Sequence, residues 1–373
     1  MIKYSDLGVR TVINGWGTLT LMGGSTMSAE ATDAMTEAAK NFVPITELEE
    51  AAGKYIAKLL GVEAACICSG AAAGMALAAA ACMAGKDPYW RDRLPDSNGL
   101  KNEIVVHRVI RSNYDQGFRL AGARVIEYGY PKKGEEWELE HAISERTAAI
   151  GHICAYSYLG GLPLEKIVEV AHRHGVPVIV DAAAELPPVE NLWKFTQMGV
   201  DLSIFSGGKD IRGPSSTGLI LGRKDLVEAC IFHSCPNYSI GRGMKIGKEE
   251  IMGFITALTI YINKDFKIQM DHWEAQIAEI IRILSEIPGI TARRVFPGEP
   301  GIQPVDIPRC FVSWSPKFFK ASVDEALESL FVGEPRVVVG TIGNNLVINP
   351  QMLDQGQERI VAQAIIKVLH GTS

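Results

Sequence analysis

The chain has 373 residues, enough for one large domain plus a smaller one, and its 47% hydrophobic content is that of an ordinary globular protein. A net charge of −6 and an isoelectric point near 5.8 offer no basic footprint for a nucleic-acid backbone. Seven scattered cysteines without a CxxC pair argue against a disulfide framework or a zinc site and read as the reduced thiols of a cytoplasmic protein.

In chain order, the opening MIKYSDLGVRTV lacks the apolar region of a signal peptide. Residues 1–48 are expected to form an N-terminal arm. The apolar run AACICSGAAAGMALAAAACMA at 64–84 approaches the length of a membrane span, but Ser69-Gly70 divides it into a strand and an alanine-rich helix. The reading is therefore a buried βα unit of a soluble protein with no membrane partner. Apolar runs predict further strands at 103–107, 123–127, 148–154, 176–181, 202–206 and 217–221, alternating with helices at 71–84, 112–121, 163–174 and 190–199. This alternation predicts an α/β fold, a mainly parallel seven-stranded sheet with helices on both faces, over a large domain spanning 49–255. One long helical segment is expected over 249–286. After it, residues out to 373 alternate short strands and helices, so 256–373 reads as a smaller C-terminal α+β domain on which the N-terminal arm packs.

Ligands of open parallel sheets bind beyond the carboxyl ends of the strands. Four such ends carry residues of interest. After the first strand, Ser69-Gly70-Ala71 open a helix, where free amides and small side chains suit an anion; a plain tight turn fits as well, since the Walker and GxGxxG spacings are absent. His107 closes the second strand, where a lone histidine also suits a structural role. Asp181 ends the apolar VPVIVD, either capping the next turn or requiring a positive partner to stay ionised. Lys209 follows Ser206 and two glycines in FSGGKDIRGP, a confined setting for a strongly solvated cation. The crossover between the strands 176–181 and 202–206 brings Asp181 and Lys209 to one sheet edge. An anion cradle, a buried carboxylate and a confined lysine together match pyridoxal 5'-phosphate. On this reading Lys209 forms the Schiff base, Asp181 faces the pyridine nitrogen, Ser69, Gly70, Ala71 and Ser206 hold the phosphate, and His107 lies over the ring.

These residues also carry a resemblance. ELEEAAGKYIAKLLGVEAACICSGAAAG, VIVDAAAE and FSGGKDIRGPSSTGLILG resemble the selenocysteine synthase-like group of fold-type I, pyridoxal-phosphate-dependent enzymes, over roughly residues 8–255. That group includes L-seryl-tRNA selenium transferase and D-glucosaminate-6-phosphate ammonia-lyase, and DAAAE and FSGGK look closer to the second. The resemblance implies a dimer as the minimum active unit, so a homo-oligomer. It places NGWGTLTLMGGS, with Trp16, near the substrate, and Arg242 and Lys245 of GRGMKIGKEE near a cofactor or substrate anion. Thr341 and Gln351 stand where relatives are expected to carry arginines, leaving Arg212, Arg309 and Arg336 as candidates for substrate binding or as surface residues.

Other residues have competing readings. His172 and His174 end a helix, where the dipole explains them better than a metal does, and no metal site is expected. Glu185 suits an acid–base role or a helix cap, and Tyr156, Tyr158 and Tyr238 suit substrate contact or the core. The expected activity is a carbon–nitrogen lyase. It would perform α,β-elimination on a β-hydroxy amino acid or amino-sugar acid, giving a 2-oxo acid and ammonia. Alternatives are a tRNA-dependent selenium transferase, disfavoured by the acidic balance, and a racemase or aldolase.

Overall fold

The structure is a computed structural model that describes residues 2–131, 133–154, 159–296 and 302–371. It divides into two compact units: residues 26–263, and residues 1–25 together with 264–373. Strand β1 (Ile13–Gly15) belongs to the second, smaller unit.

The larger unit begins with α1 (Ala29–Ala39) and α2 (Ile45–Leu60), then β2 (Ala64–Cys68), α3 (Gly70–Ala84), α4 (Pro88–Arg93) and β3 (Glu103–His107). It continues through α5 (Gln116–Leu120), β4 (Arg124–Tyr128), α6 (Glu136–Ala142), β5 (Thr147–Ile153), α7 (Leu164–Arg173) and β6 (Val178–Asp181). It ends with α8 (Asn191–Gln197), β7 (Leu202–Ser206), β8 (Gly218–Gly222), α9 (Lys224–His233) and α10 (Lys248–Ile262). Seven strands form one sheet in the order β2-β8-β7-β6-β5-β3-β4, the mainly parallel arrangement the apolar runs predict. β8 alone runs antiparallel to both of its neighbours. Regular pairing of β6 begins at Val178 rather than at 176, because Pro177 has no N–H to donate, although its carbonyl still accepts from Ile150 N at 2.9 Å.

One sheet face packs on α3. Ile104, Val106, Ile153, Ile179, Ile204 and Ile220 share a buried cluster with the alanines of that helix. The approach is so close that a Cβ on Gly74 would lie 2.8 Å from Ile204 Cγ2, which explains a helix made almost entirely of glycine and alanine. Helix α3 has 15 residues, and no described helix is long and apolar enough to cross a membrane.

The smaller unit combines β1 with α11 (Phe266–Ser285), β9 (Ile290–Val295), β10 (Arg309–Trp314), α12 (Val323–Val332), β11 (Val337–Ile342), β12 (Asn345–Ile348) and α13 (Gln357–Leu369). Its sheet runs β1-β11-β12-β10-β9, with β1 parallel to β11 and the other pairs antiparallel. A core of Ile277, Ile280, Val312, Leu346, Val361 and Ile365 lies between this sheet and its helices.

Two boundaries differ from the sequence reading. The helical segment expected over 249–286 is broken at Asn263–Asp265, where the Asp265 carboxylate caps α11 by accepting from Lys267 N at 2.9 Å and Ile268 N at 3.1 Å. The N-terminal 48 residues are not one arm: residues up to 25 join the smaller unit through β1, whereas α1 and α2 pack within the larger one.

Candidate active site

Strand register decides which side chains can meet at the sheet edge. Asp181 pairs with Ile153 on one side and Ile204 on the other, so its side chain leaves the sheet on the α3 face. Ser206, two residues beyond Ile204, shares that face and pairs with Gly218, which in turn pairs with Cys68 at the end of β2. The chain after Cys68 turns at Gly70, which takes φ +82° and opens α3. Ser69, Gly70, Ala71, Asp181 and Ser206 therefore gather at one edge and on one face.

Among the described residues, the first turn of α3 has no side-chain cap and no acidic residue, which leaves its first amides without an intrahelical partner. Gly218 keeps the space beside them open: a Cβ there would lie 2.5 Å from Gly70 C and 2.8 Å from Ala71 N. This is a backbone cradle for an anion at the positive end of a 15-residue helix.

Lys209 sits in a tightly closed loop between β7 and β8. Gly207 N donates to Thr217 O at 2.8 Å, Gly213 N to Gly207 O at 2.9 Å, and Arg212 N to Lys209 O at 2.9 Å. Arg212 closes that turn at φ +58°, a left-handed conformation uncommon for a residue with a side chain. The glycines before the lysine are required by packing: a Cβ on Gly207 would lie 2.1 Å from Thr217 Oγ1, and one on Gly208 would lie 2.5 Å from Ser215 Cα.

Burial lowers the pKa of the Lys209 amine, against the pull of the Asp181 and Glu185 carboxylates, which favour its charged form. Burial likewise raises that of Asp181, opposed by the Ala183 N–H, which donates to Oδ1 at 3.0 Å, and by Lys209. Glu185 thus belongs to the same electrostatic group, in the turn that follows β6.

His107 stands apart. Its neighbour Val106 is in register with Gly151 and Ile179, so His107 projects from the face opposite Asp181. It is 2% exposed, edge-on to Tyr128 with ring centroids 4.9 Å apart, and enclosed by Gly129, Gly134 and Gly161. Nδ1 accepts from Val109 N at 3.2 Å, and Nε2 lies 3.3 Å from Lys133 O, so the ring is the neutral Nε2–H tautomer. Burial lowers its pKa. The position expected over the cofactor ring is not the one this register gives. The alternation of side chains along β3 carried that information, and reading the strand end alone missed it. His152, also on that face, is buried with its Nδ1 lacking a hydrogen-bond partner among the described residues, and burial beside His107 lowers its pKa to about 4.

Arg242 and Lys245 are exposed; Arg242 contacts the Tyr238 ring and the Cys235 Sγ, and no described contact joins either residue to Lys209. Trp16 lies in the smaller unit, its indole against Gly340 and its carbonyl accepting from Asn349 Nδ2 at 3.2 Å. Arg309 is no surface residue: it is fully buried in the smaller unit, donating to Ile307 O at 2.6 Å and Pro304 O at 3.0 Å. Arg336 stacks on Phe331. His172 bonds Asp201 at 2.9 Å, and no group of metal-binding side chains occurs among the described residues. Tyr156 and Tyr158 lie outside the described residues.

The residues fit pyridoxal 5'-phosphate in three respects, each resting on a different observation. The bare helix terminus beside Gly218 suits the phosphate. A buried carboxylate with one oxygen taken by Ala183 suits a protonated ring nitrogen. A partly desolvated amine suits the aldehyde. A mainly parallel α/β sheet with such an edge defines a fold-type I pyridoxal-phosphate enzyme. The chain belongs to the aminotransferase class-V family, which matches residues 25–233, and its cofactor is pyridoxal 5'-phosphate.

It is 36% identical, over 78% of its own length and 73% of the relative's, to 5'-C-glycyluridine monooxygenase-decarboxylase from a Streptomyces species. It is 35% identical to D-glucosaminate-6-phosphate ammonia lyase from Salmonella typhimurium, over 78% of this chain and 77% of the relative. A solved structure of D-glucosaminate-6-phosphate ammonia-lyase superposes with a TM-score of 0.86 at 30% identity, covering 99% of this chain and 98% of the other.

Proposed function

We propose that the protein is a pyridoxal-phosphate-dependent ammonia lyase that converts a β-hydroxy amino acid or amino-sugar acid into a 2-oxo acid and ammonia. The observation that carries this reading is the Lys209–Asp181 pair, set in a chain that matches an ammonia-lyase structure over nearly its whole length. The bound cofactor supplies the electron sink that acidifies the substrate's α C–H.

The chain's own residues supply the rest. The free Lys209 amine would take the substrate's α-proton, which its lowered pKa suits. The β-hydroxyl would then leave as water with the proton Lys209 has taken, and the released enamine would tautomerise and be hydrolysed to the 2-oxo acid and ammonia. Asp181 holds the proton on the ring nitrogen, and Glu185 assists proton transfer. Ser69, Gly70, Ala71 and Ser206 hold the phosphate. His107, with both nitrogens engaged by backbone, is a structural residue of the opposite face. In this reading the protein works in the cytoplasm as a homo-oligomer of dimers, without nucleic acid. Arg242 and Lys245 hold a cofactor or substrate anion, and sedimentation would test the oligomer.

The test is ammonia and 2-oxo acid release from a panel of 2-amino sugar acids, with and without a terminal phosphate, and from β-hydroxy amino acids. Turnover of at least one, lost in Lys209→Ala, is expected; a yellow, borohydride-sensitive protein that turns over none of them overturns the lyase reading. The identity to the monooxygenase-decarboxylase motivates a second reading, oxygen-dependent decarboxylation of an α-amino acid. Oxygen uptake and carbon dioxide release without ammonia would select it.

A further inference from the structure

The turn that carries Lys209 is inverted relative to an ordinary surface turn. Its two central residues, Asp210 and Ile211, are 4% and 2% exposed, so they point into the protein rather than to solvent. Helix α10 is in contact with this loop along one helical stripe. The Phe254 ring fills the space beside Gly207 and Gly213, where Cβ atoms would lie 2.7 and 3.1 Å from it. Gly253 lets Pro214 approach, the distance to a Cβ being 3.2 Å. At the N-terminal end of the stripe the Glu250 carboxylate accepts from Ser216 Oγ. At the C-terminal end, Tyr261, 3% exposed, lies within electrostatic reach of the buried Asp210 carboxylate. Residues 250, 254, 257 and 261 follow helical spacing, so one face of one helix holds both ends of the lysine loop.

We propose that Tyr261 is a positioning residue for Lys209, acting through the buried carboxylate of Asp210 to fix the turn from which the lysine side chain departs. The inference rests on the reading of Lys209 as the cofactor lysine. The chemistry needs the amine held in register with a ring whose phosphate and nitrogen are anchored elsewhere, at Gly70 and Asp181, and only the backbone of this turn can supply that register. Burial raises the tyrosine's pKa, and the neighbouring carboxylate raises it further, so the hydroxyl keeps its proton and remains a donor.

The test compares full-length wild type, Tyr261→Phe and Asp210→Asn as purified, by amide hydrogen exchange and by the pH midpoint of the visible cofactor band. The expected result is exchange roughly tenfold faster across 207–217 with strand β5 unchanged, and a displaced midpoint, in both variants. Tyr261→Phe removes only one oxygen atom, so it carries the test if Asp210→Asn does not fold. Wild-type exchange and midpoint in Tyr261→Phe overturn the proposal, as does faster exchange spread evenly over the sheet. A wild type without a visible band overturns the cofactor reading instead, and the exchange comparison still decides whether Tyr261 fixes the turn.

Discussion

Asp181 and Lys209 oppose each other's neutralisation: burial drives the acid toward its protonated form and the amine toward its free base, and each charge holds the other back. For the lysine the net result is a lowered pKa. Between that value and the ordinary 10.5, the unfolded chain binds more protons than the native one, so folding stability rises with pH across this window. Cofactor-free Lys209→Met is expected to lack the rise, which urea midpoints at pH 8 and pH 10 would reveal. Equal slopes in the two proteins would contradict the burial assigned to the amine.

Gly218→Ala is expected to close the anion cradle. The added methyl would press on Gly70 and Ala71, which are backbone and cannot swing aside. Such overpacking costs about 1–3 kcal/mol. The specific outcome is weaker retention of pyridoxal phosphate, read as a faster loss of the visible band on dialysis than in wild type.

Glu49 on α2 lines a cavity of about 600 Å³ with Gly53, Ala57, Ala65, Val227 and Ile231, and burial raises its pKa from 4.5 to about 7. The native state therefore binds the extra proton between those values, and stability falls as pH rises from 4.5 through 7. Glu49→Gln should abolish that fall and gain on the order of 1 kcal/mol over wild type at pH 8, after allowance for partial solvent screening. Thermal midpoints at pH 5 and pH 8 check it.

Asp265→Ala removes both side-chain bonds to the first turn of α11. The expected cost is about 1 kcal/mol, read from denaturant unfolding, with Asp265→Asn recovering most of it.

The sheet was legible because strands buried on both faces appear as continuous apolar runs; all seven expected strands of the large domain are present within two residues at each end. Lys209, Asp181 and the Ser69 turn were legible for a related reason, since polar residues that end such runs stand out. The direction of β8 was not read, although a signal existed: the loop from Ser206 to Gly218 contains no helix and is too short for a parallel crossover. Asn263-Lys264-Asp265 likewise carries turn chemistry that a continuous helical pattern concealed. Tyr261 and Glu49 had no local signal at all. Their environments come from chain distant in sequence, Tyr261 meeting Asp210 and Glu49 sharing its cavity with α9, so only the packed fold exposes them.

The parallel pairing of β1 with β11 has a consequence for how the molecule is made. Ile13 lies opposite Val337, and every residue of the larger unit is translated between them. On the ribosome the larger unit has its whole sequence in hand while β11, β12 and α13 do not yet exist, so it can close first. Strand β1 meanwhile has no β11 to bond, and its backbone donors and acceptors stay with water until the chain beyond the larger unit is made. The smaller unit is thus stitched together from segments made before and after the larger one, and a translation that stops before Val337 leaves its sheet without the strand that joins them.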